Sequence, residues 1–201
     1  MSERSKSDWA KLKTVKTPKF RVSFPHVFEP HAFEKNPAKY SIVMLFPKDT
    51  DLKALKMACN AAAAQKWGTD TSKWPKNAGG QPIRMPFRDG AEKTDLQGYE
   101  GNIFVSASTK TKPGLVDQKL QPIEAESDFY AGCYARAELQ AFAYDTNGNK
   151  GVSFALQNVQ KLADGEPFAG KKKAEDTFND DFEIPTDGLE IGEGGVDLGF
   201  N

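Results

Sequence analysis

The stretch FYAGCYARAELQAFAY (129–144), followed by DTNGN (145–149) and KGVSFALQNVQK (150–161), says more about the fold than any other part of the chain. Both long segments alternate apolar and polar residues, the period of a strand with one buried face. Between them, Asn147-Gly148 supplies the two positive-φ positions that a tight hairpin turn demands. The segment 129–144 therefore has two faces. Phe129, Ala131, Cys133, Ala135, Ala137, Leu139, Ala141 and Ala143 form a small, apolar one, suited to the inside of a narrow barrel. Tyr130, Gly132, Tyr134, Arg136, Glu138, Gln140, Phe142 and Tyr144 form the other, which places aromatic rings beside a cation.

Upstream, KFRVSF (19–24) alternates in the same way, and Pro25 and Pro30 make its far end an edge or a bend. YSIVMLF (40–46) is apolar on both faces and reads as a strand covered on two sides. A helix follows from about Asp51 to Trp67, rich in alanine and ended by Gly68. NIFVSASTK (102–110) alternates again, and Pro113-Gly114 marks a turn. We assign Phe20, Phe24, Ile42, Met44 and Phe154 to the core. Five or more strands, one helix and no strand–helix alternation argue against a doubly wound sheet and for a mainly β, five-stranded barrel of the oligonucleotide-binding type. The usual barrel of that type carries its helix after the third strand, whereas only two clear strands precede Asp51. Residues 19–28 would then be one bent, double-length strand, or the fold a variant.

The 201 residues carry a formal net charge of −1, an average over two opposite regions. Residues 174–201 hold nine acidic residues and no Lys or Arg; the remaining 27 basic and 19 acidic residues give 1–173 a net charge of +8. A basic body with an acidic tail is an asymmetry that accompanies polyanion binding. Residues 1–16 read as a flexible arm, 17–167 as the folded domain and 168–201 as a disordered acidic tail, too poor in clustered apolar residues to fold alone. The tail's scattered Phe178, Phe182, Ile184, Leu189, Ile191 and Phe200 suit short contacts with partner proteins.

Catalysis has little to stand on. His26 and His31 are the only histidines, both in a proline-flanked segment that offers fewer ligands than a zinc site needs. No phosphate-binding loop and no Gly-x-Ser-x-Gly elbow occurs, and the densest acidic cluster lies in the tail. We therefore expect no enzyme, no metal and no cofactor. Cys59 and Cys133 read as buried free thiols of a reducing compartment, with an internal disulfide as the lesser alternative. No apolar run approaches the roughly 20 residues of a membrane span, so we expect a cytoplasmic protein without membrane contact.

Single-strand binders combine rings on which bases stack with cations that follow the phosphates. On the strands, Tyr130, Tyr134, Phe142 and Tyr144 are the candidate rings, with Lys19, Arg21, Lys110, Lys112, Arg136 and Lys150 as the cations. The long irregular stretch 68–101 interleaves both types, and Lys73, Trp74, Lys76, Arg84 and Arg88 are expected there as a mobile flap beside the groove. RNA or duplex DNA binding, or less readily a nuclease, are the alternatives.

A resemblance adds to this reading. DFYAGCYAR (128–136), AYD (143–145), GNKGVSFALQNVQK (148–161) and DGEP (164–167), with KYSIVMLF (39–46) and KPGL (112–115), resemble the bacteriophage single-stranded DNA-binding proteins of the Enc34 type, once grouped under a domain of unknown function. The matching stretches span most of 17–167. The resemblance implies an oligonucleotide-binding barrel that binds single strands during phage replication or recombination, and no catalytic activity. Phage or host replication and recombination proteins are the expected partners of the tail, and duplex DNA and self-association on DNA are expected besides. It assigns no individual contact residue.

Overall fold

A computed structural model of the chain describes residues 5–32 and 37–168. The hairpin read from the sequence is its longest feature: β7 (Tyr134–Thr146) pairs antiparallel with β8 (Asn149–Ala163), from Tyr134↔Ala163 to Thr146↔Asn149. Asn147 (φ 51°) and Gly148 (φ 78°) close the turn, both in the positive-φ region. The strand starts later than expected, because Phe129 to Cys133 form the approach to it.

β7 also pairs with β2 (Phe20–His31), β2 with β3 (Lys39–Pro47), and β3 with β5 (Asn102–Thr109). β5 then meets β8 in a short parallel contact at Ala107↔Phe154 and Ser108↔Ala155. Since β8 pairs with β7, these five strands close in a ring, as the oligonucleotide-binding reading requires. Three short strands attach outside it: β1 (Thr14–Lys16) on β7, β4 (Arg88–Asp89) on β5 and β6 (Gly114–Val116) on β8.

Two α-helices are present among the described residues rather than one. α2 (Lys53–Trp67) is the alanine-rich helix, and it packs on β7 and β8. Ala58, Ala62 and Ala63 on the helix, with Ala135, Ala137 and Ala141 on β7, are all buried in one core. Small side chains on both elements let their backbones approach closely. α1 (Lys6–Lys13) and β1 occupy most of the segment expected to be a flexible arm. A Ser5–Asp8 capping box starts α1, and the β1 register Val15↔Leu139 ties the segment to β7. Backbone pairing at a strand edge, invisible to composition, accounts for the difference.

Inward residues of every ring strand meet α2 in the main core, where Phe20, Val22, Ile42, Met44, Phe46, Leu55, Leu139, Phe154 and Leu156 are all nearly inaccessible. β3 is covered on its other side as well. Leu45 packs there with Tyr99 and Phe104 in a second cluster, joined by Val43, Leu96 and Phe168. Phe24 is the exception among the expected core residues, 47% exposed instead of buried. It sits where β2 bulges, with register shifts on β3 between Ser23 and His26 and again before His31. β2 is thus long and bent, yet it counts once in the ring, so α2 follows the second ring strand instead of the third and the fold is a variant of the usual barrel.

Cys59 and Cys133 are free and buried, and burial pushes the Cys59 thiol up to about 12. Such thiols pack as small apolar groups.

Candidate nucleic-acid interface

The proposed site residues fall into separate groups, because β7 is long. Tyr134 and Tyr144 lie ten residues apart, about 34 Å along the strand.

At the start of β7, register brings two strands' side chains together. Arg21 on β2 is the direct partner of Tyr134. Its guanidinium carbon lies 5.9 Å from the Tyr134 ring centroid, and Lys19 Nζ lies 5.3 Å from it. Arg21 Nε donates to the Gly132 carbonyl (3.2 Å) and Nη2 to the Glu166 carbonyl (2.7 Å), while the Phe168 ring lies 4.3 Å from the guanidinium. Those partners are neutral: they orient the guanidinium without cancelling its charge. Gly132 is essential to this crossing, since a Cβ there would lie 2.2 Å from the Glu166 carbonyl oxygen. Beside it opens a cleft of about 320 Å³ lined by Lys19, Arg21, Leu45, Thr50, Asn102 and Tyr134, among others.

Tyr130 adjoins this group, but its hydroxyl is committed. It lies 2.9 Å from Asp164 Oδ1 and 3.0 Å from the Gly165 carbonyl, with Lys161 Nζ 5.3 Å from the ring. Burial, more than the nearby Asp164 carboxylate, holds the phenol above its ordinary pKa. The ring packs on the core and fastens the end of β8.

The far end of β7 gathers Phe142, Tyr144, Lys150, Arg84 and Trp74. Phe142 is 42% exposed, whereas Tyr144 lies over Gly151, its hydroxyl 2.6 Å from where a Cβ would stand. The segment expected to be a mobile flap is stitched to β8 here. Arg84 N donates to the Lys150 carbonyl (3.0 Å) and Val152 N to the Arg84 carbonyl (2.8 Å). Asn77 Nδ2 donates to that same Lys150 carbonyl (3.0 Å), and its Oδ1 accepts from Lys150 N (2.7 Å). Trp74 is half-buried against Trp67, with ring centroids 6.5 Å apart, and its indole N–H donates to the Gly68 carbonyl (2.8 Å). Lys76 and Arg84 are exposed, and Lys73 pairs with Asp70 at 3.2 Å.

The remaining candidates stand apart from both ends. Arg88, on β4, lies 4.9 Å from the Phe104 ring centroid and pairs with Glu92. Arg136 sits on the outer face of β7 and donates to Gln160 Oε1 (2.7 Å). Lys110 and Lys112 are exposed on the connection from β5 to β6.

Sequence reasoning missed three residues in these places. Phe168 was set at the start of the tail, yet it packs on Arg21 and the second core cluster. Gly132 read only as a small residue on the outer face. Phe24 read as core, although Pro25 directly after it hinted at a break in the strand. Residues 169–201, the bulk of the expected tail, lie outside the described residues. Among the described residues, no group of three or more His, Cys, Asp or Glu is placed to hold a metal ion. No helix among them is long and apolar enough to cross a membrane.

Comparison with known proteins gives a consistent picture. The family model described as Enterobacter phage Enc34, ssDNA-binding protein, matches residues 13–188. A putative protein p50 of Acyrthosiphon pisum secondary endosymbiont phage 1 is 37% identical over 161 residues, 78% of this chain and 86% of that protein. Among solved structures, the single-stranded DNA-binding protein from bacteriophage Enc34 in complex with ssDNA aligns with a TM-score of 0.63 at 24% identity, covering 77% of this chain and 89% of that one. Gp2.5, a single-stranded DNA-binding protein encoded by bacteriophage T7, aligns with a TM-score of 0.54 at 11% identity, covering 86% and 98%. The family match spans all five ring strands and the β7–β8 hairpin, and this chain belongs to the family of the Enterobacter phage Enc34 ssDNA-binding protein.

Proposed function

We propose that this protein binds single-stranded DNA stoichiometrically and without sequence preference, covering strands exposed during phage replication or recombination in the host cytoplasm. Family membership supports the role, and one observation carries its location: Lys19 and Arg21 lie over the Tyr134 ring beside an open cleft. A ring offers its face to any base, and cations with no carboxylate partner among the described residues follow any phosphate, so the pairing is blind to sequence. The protein would work by binding alone, without catalysing a reaction. Duplex DNA is a weaker partner, and copies of the protein associate along a covered strand.

Residues 174–201 carry nine negative charges tethered to a body of net charge +8. A tethered anion has a high effective concentration, so it competes with DNA at low salt and, once displaced, is free to recruit replication or recombination proteins.

The test is a salt titration of oligo(dT) binding by intact protein and by protein lacking residues 174–201, with duplex DNA and single-stranded RNA of equal length as competitors. With about three to six phosphate contacts, log affinity falls with log salt at a slope near −2 to −4. Truncation tightens binding at low salt. A flat salt response, or preference for RNA or duplex, sinks the reading, and metal-dependent cleavage of the DNA would make the protein a nuclease instead.

A further inference from the structure

Three non-glycine residues among those described have positive φ: Phe24 (44°), Leu120 (64°) and Asn147 (51°). Two are explained by turns. Asn147 closes the β7–β8 hairpin, and Leu120 sits in a turn where Leu120 N donates to the Asp117 carbonyl and Asp117 N to the Gln121 carbonyl. Phe24 closes no turn. It lies inside β2, at a bulge position of the kind that glycine usually fills.

The local chemistry makes this placement more costly. Phenylalanine has a Cβ, which the left-handed region penalises. Pro25 follows it, and a residue before proline is pushed toward extended backbone. Strand periodicity would put Phe24 on the same face as Val22, which is fully buried; instead Val27 continues the inward row and Phe24 is 47% exposed. A large apolar ring has been turned out of the core into water by a strained backbone. Such strain persists where the surrounding structure imposes it, and it concentrates at functional sites.

The surroundings indicate a ligand class. Arg21 lies three residues earlier on the same strand, about 10 Å away. Between them Ser23 is buried, its hydroxyl 3.3 Å from that of Tyr99, so β2 is anchored to the second core cluster next to Phe24. Past the bulge, the His26 and His31 rings stack with centroids 4.4 Å apart and planes 12° from parallel.

We infer that Phe24 is a nucleobase-stacking residue, a strained aromatic platform on β2 that takes a base of the strand whose phosphates meet Lys19 and Arg21. The inference rests on the functional reading above. Its ligand is any unpaired base, because every base offers a π face, and it extends the interface from the Tyr134 cleft along β2 to the bulge. The bulge fixes the ring before DNA arrives, so stacking costs little ordering.

The experiment compares wild type, Phe24→Gly and Phe24→Tyr for oligo(dT) binding across salt, with thermal unfolding and sedimentation of each free protein. Glycine accepts the positive φ, so Phe24→Gly keeps or raises the unfolding midpoint. It binds oligo(dT) about 5- to 150-fold more weakly, the usual range for losing one stacked base. Its salt slope matches wild type, because a stacked ring releases no counterions. Phe24→Tyr keeps the ring and binds as wild type does. In Phe24→Trp, the added indole fluorescence, taken as the difference from wild type, is quenched by oligo(dT). Wild-type affinity in Phe24→Gly overturns the inference, as does a loss accompanied by unfolding, a lower salt slope or a changed oligomeric state. Should wild type itself fail to bind oligo(dT), the functional reading falls and the Phe24 site with it.

Discussion

The two ends of β7 contain the same residue types in different circumstances. At its start, Lys19 and Arg21 lie over Tyr134, and the fixed partners of Arg21 are the carbonyls of Gly132 and Glu166. At its far end, Trp74 and Tyr144 are laid against Trp67 and Gly151, and Lys73 is paired with Asp70. An aromatic and a cation near each other do not by themselves make a binding surface. What matters is whether the ring keeps an open face and whether the charge stays uncompensated. The start of β7, with its uncompensated cations, is therefore the site we propose, and the far end is mainly a joint, where the 68–101 segment is fastened to the hairpin.

The comparison can be broken in several ways. The largest effect is expected where both ends share a foundation. Phe154 is fully buried between them, and Phe154→Ala should lower unfolding free energy by about 3–5 kcal/mol in a denaturant titration. A much smaller loss would mean that the ring of strands does not unite the two ends in one core.

Tyr134→Ala should cost roughly 1–3 kcal/mol of oligo(dT) binding with the fold intact, measured by fluorescence anisotropy beside thermal unfolding. Tyr144→Ala should cost much less. If Tyr144→Ala weakens binding as much as Tyr134→Ala, the far end is a site too.

Charge removal sharpens the contrast. Arg21→Gln should flatten the slope of log affinity against log salt by about 0.7, the loss of one phosphate contact. Lys73→Gln should leave the slope as it was, because its charge is already answered by Asp70.

The smallest effect concerns the bent half of β2. Burial first, and the neighbouring His31 second, hold His26 below its ordinary pKa of 6.5. The unfolded chain therefore takes up a proton there more readily than the folded one. The stability this contributes is present above pH 6.5 and is lost as pH falls through the folded value. His26→Gln should reduce the decline in unfolding midpoint between pH 7 and pH 5; an unchanged pH profile would show that the His26–His31 stack carries no such linkage.

Much of this architecture was legible in local pattern. The alternation from Ala135 to Ala143 assigned the faces of β7, the Asn147-Gly148 pair located its turn, and YSIVMLF (40–46) announced a strand covered on two sides. The site was legible only as a list of residue types. Lys19, Arg21 and Tyr134 were named together with Lys73, Trp74, Arg88 and Arg136, and nothing in their spacing separated one group from another.

The sequence by itself determined the strands, the alanine-rich helix, the opposition of a basic body and an acidic tail, and the family. These depend on periodicity, composition and short motifs, which act over a few residues or add up without regard to position. Tertiary structure alone decided that β1 joins β7, that residues 76–84 are stitched to β8, that Arg21 faces Tyr134 and that Phe24 points into water. Each of these depends on register between segments far apart in the chain. A shift of one residue turns every side chain to the other face, and a bulge such as the one at Phe24 arises only where an extra residue of one strand is set against its partner.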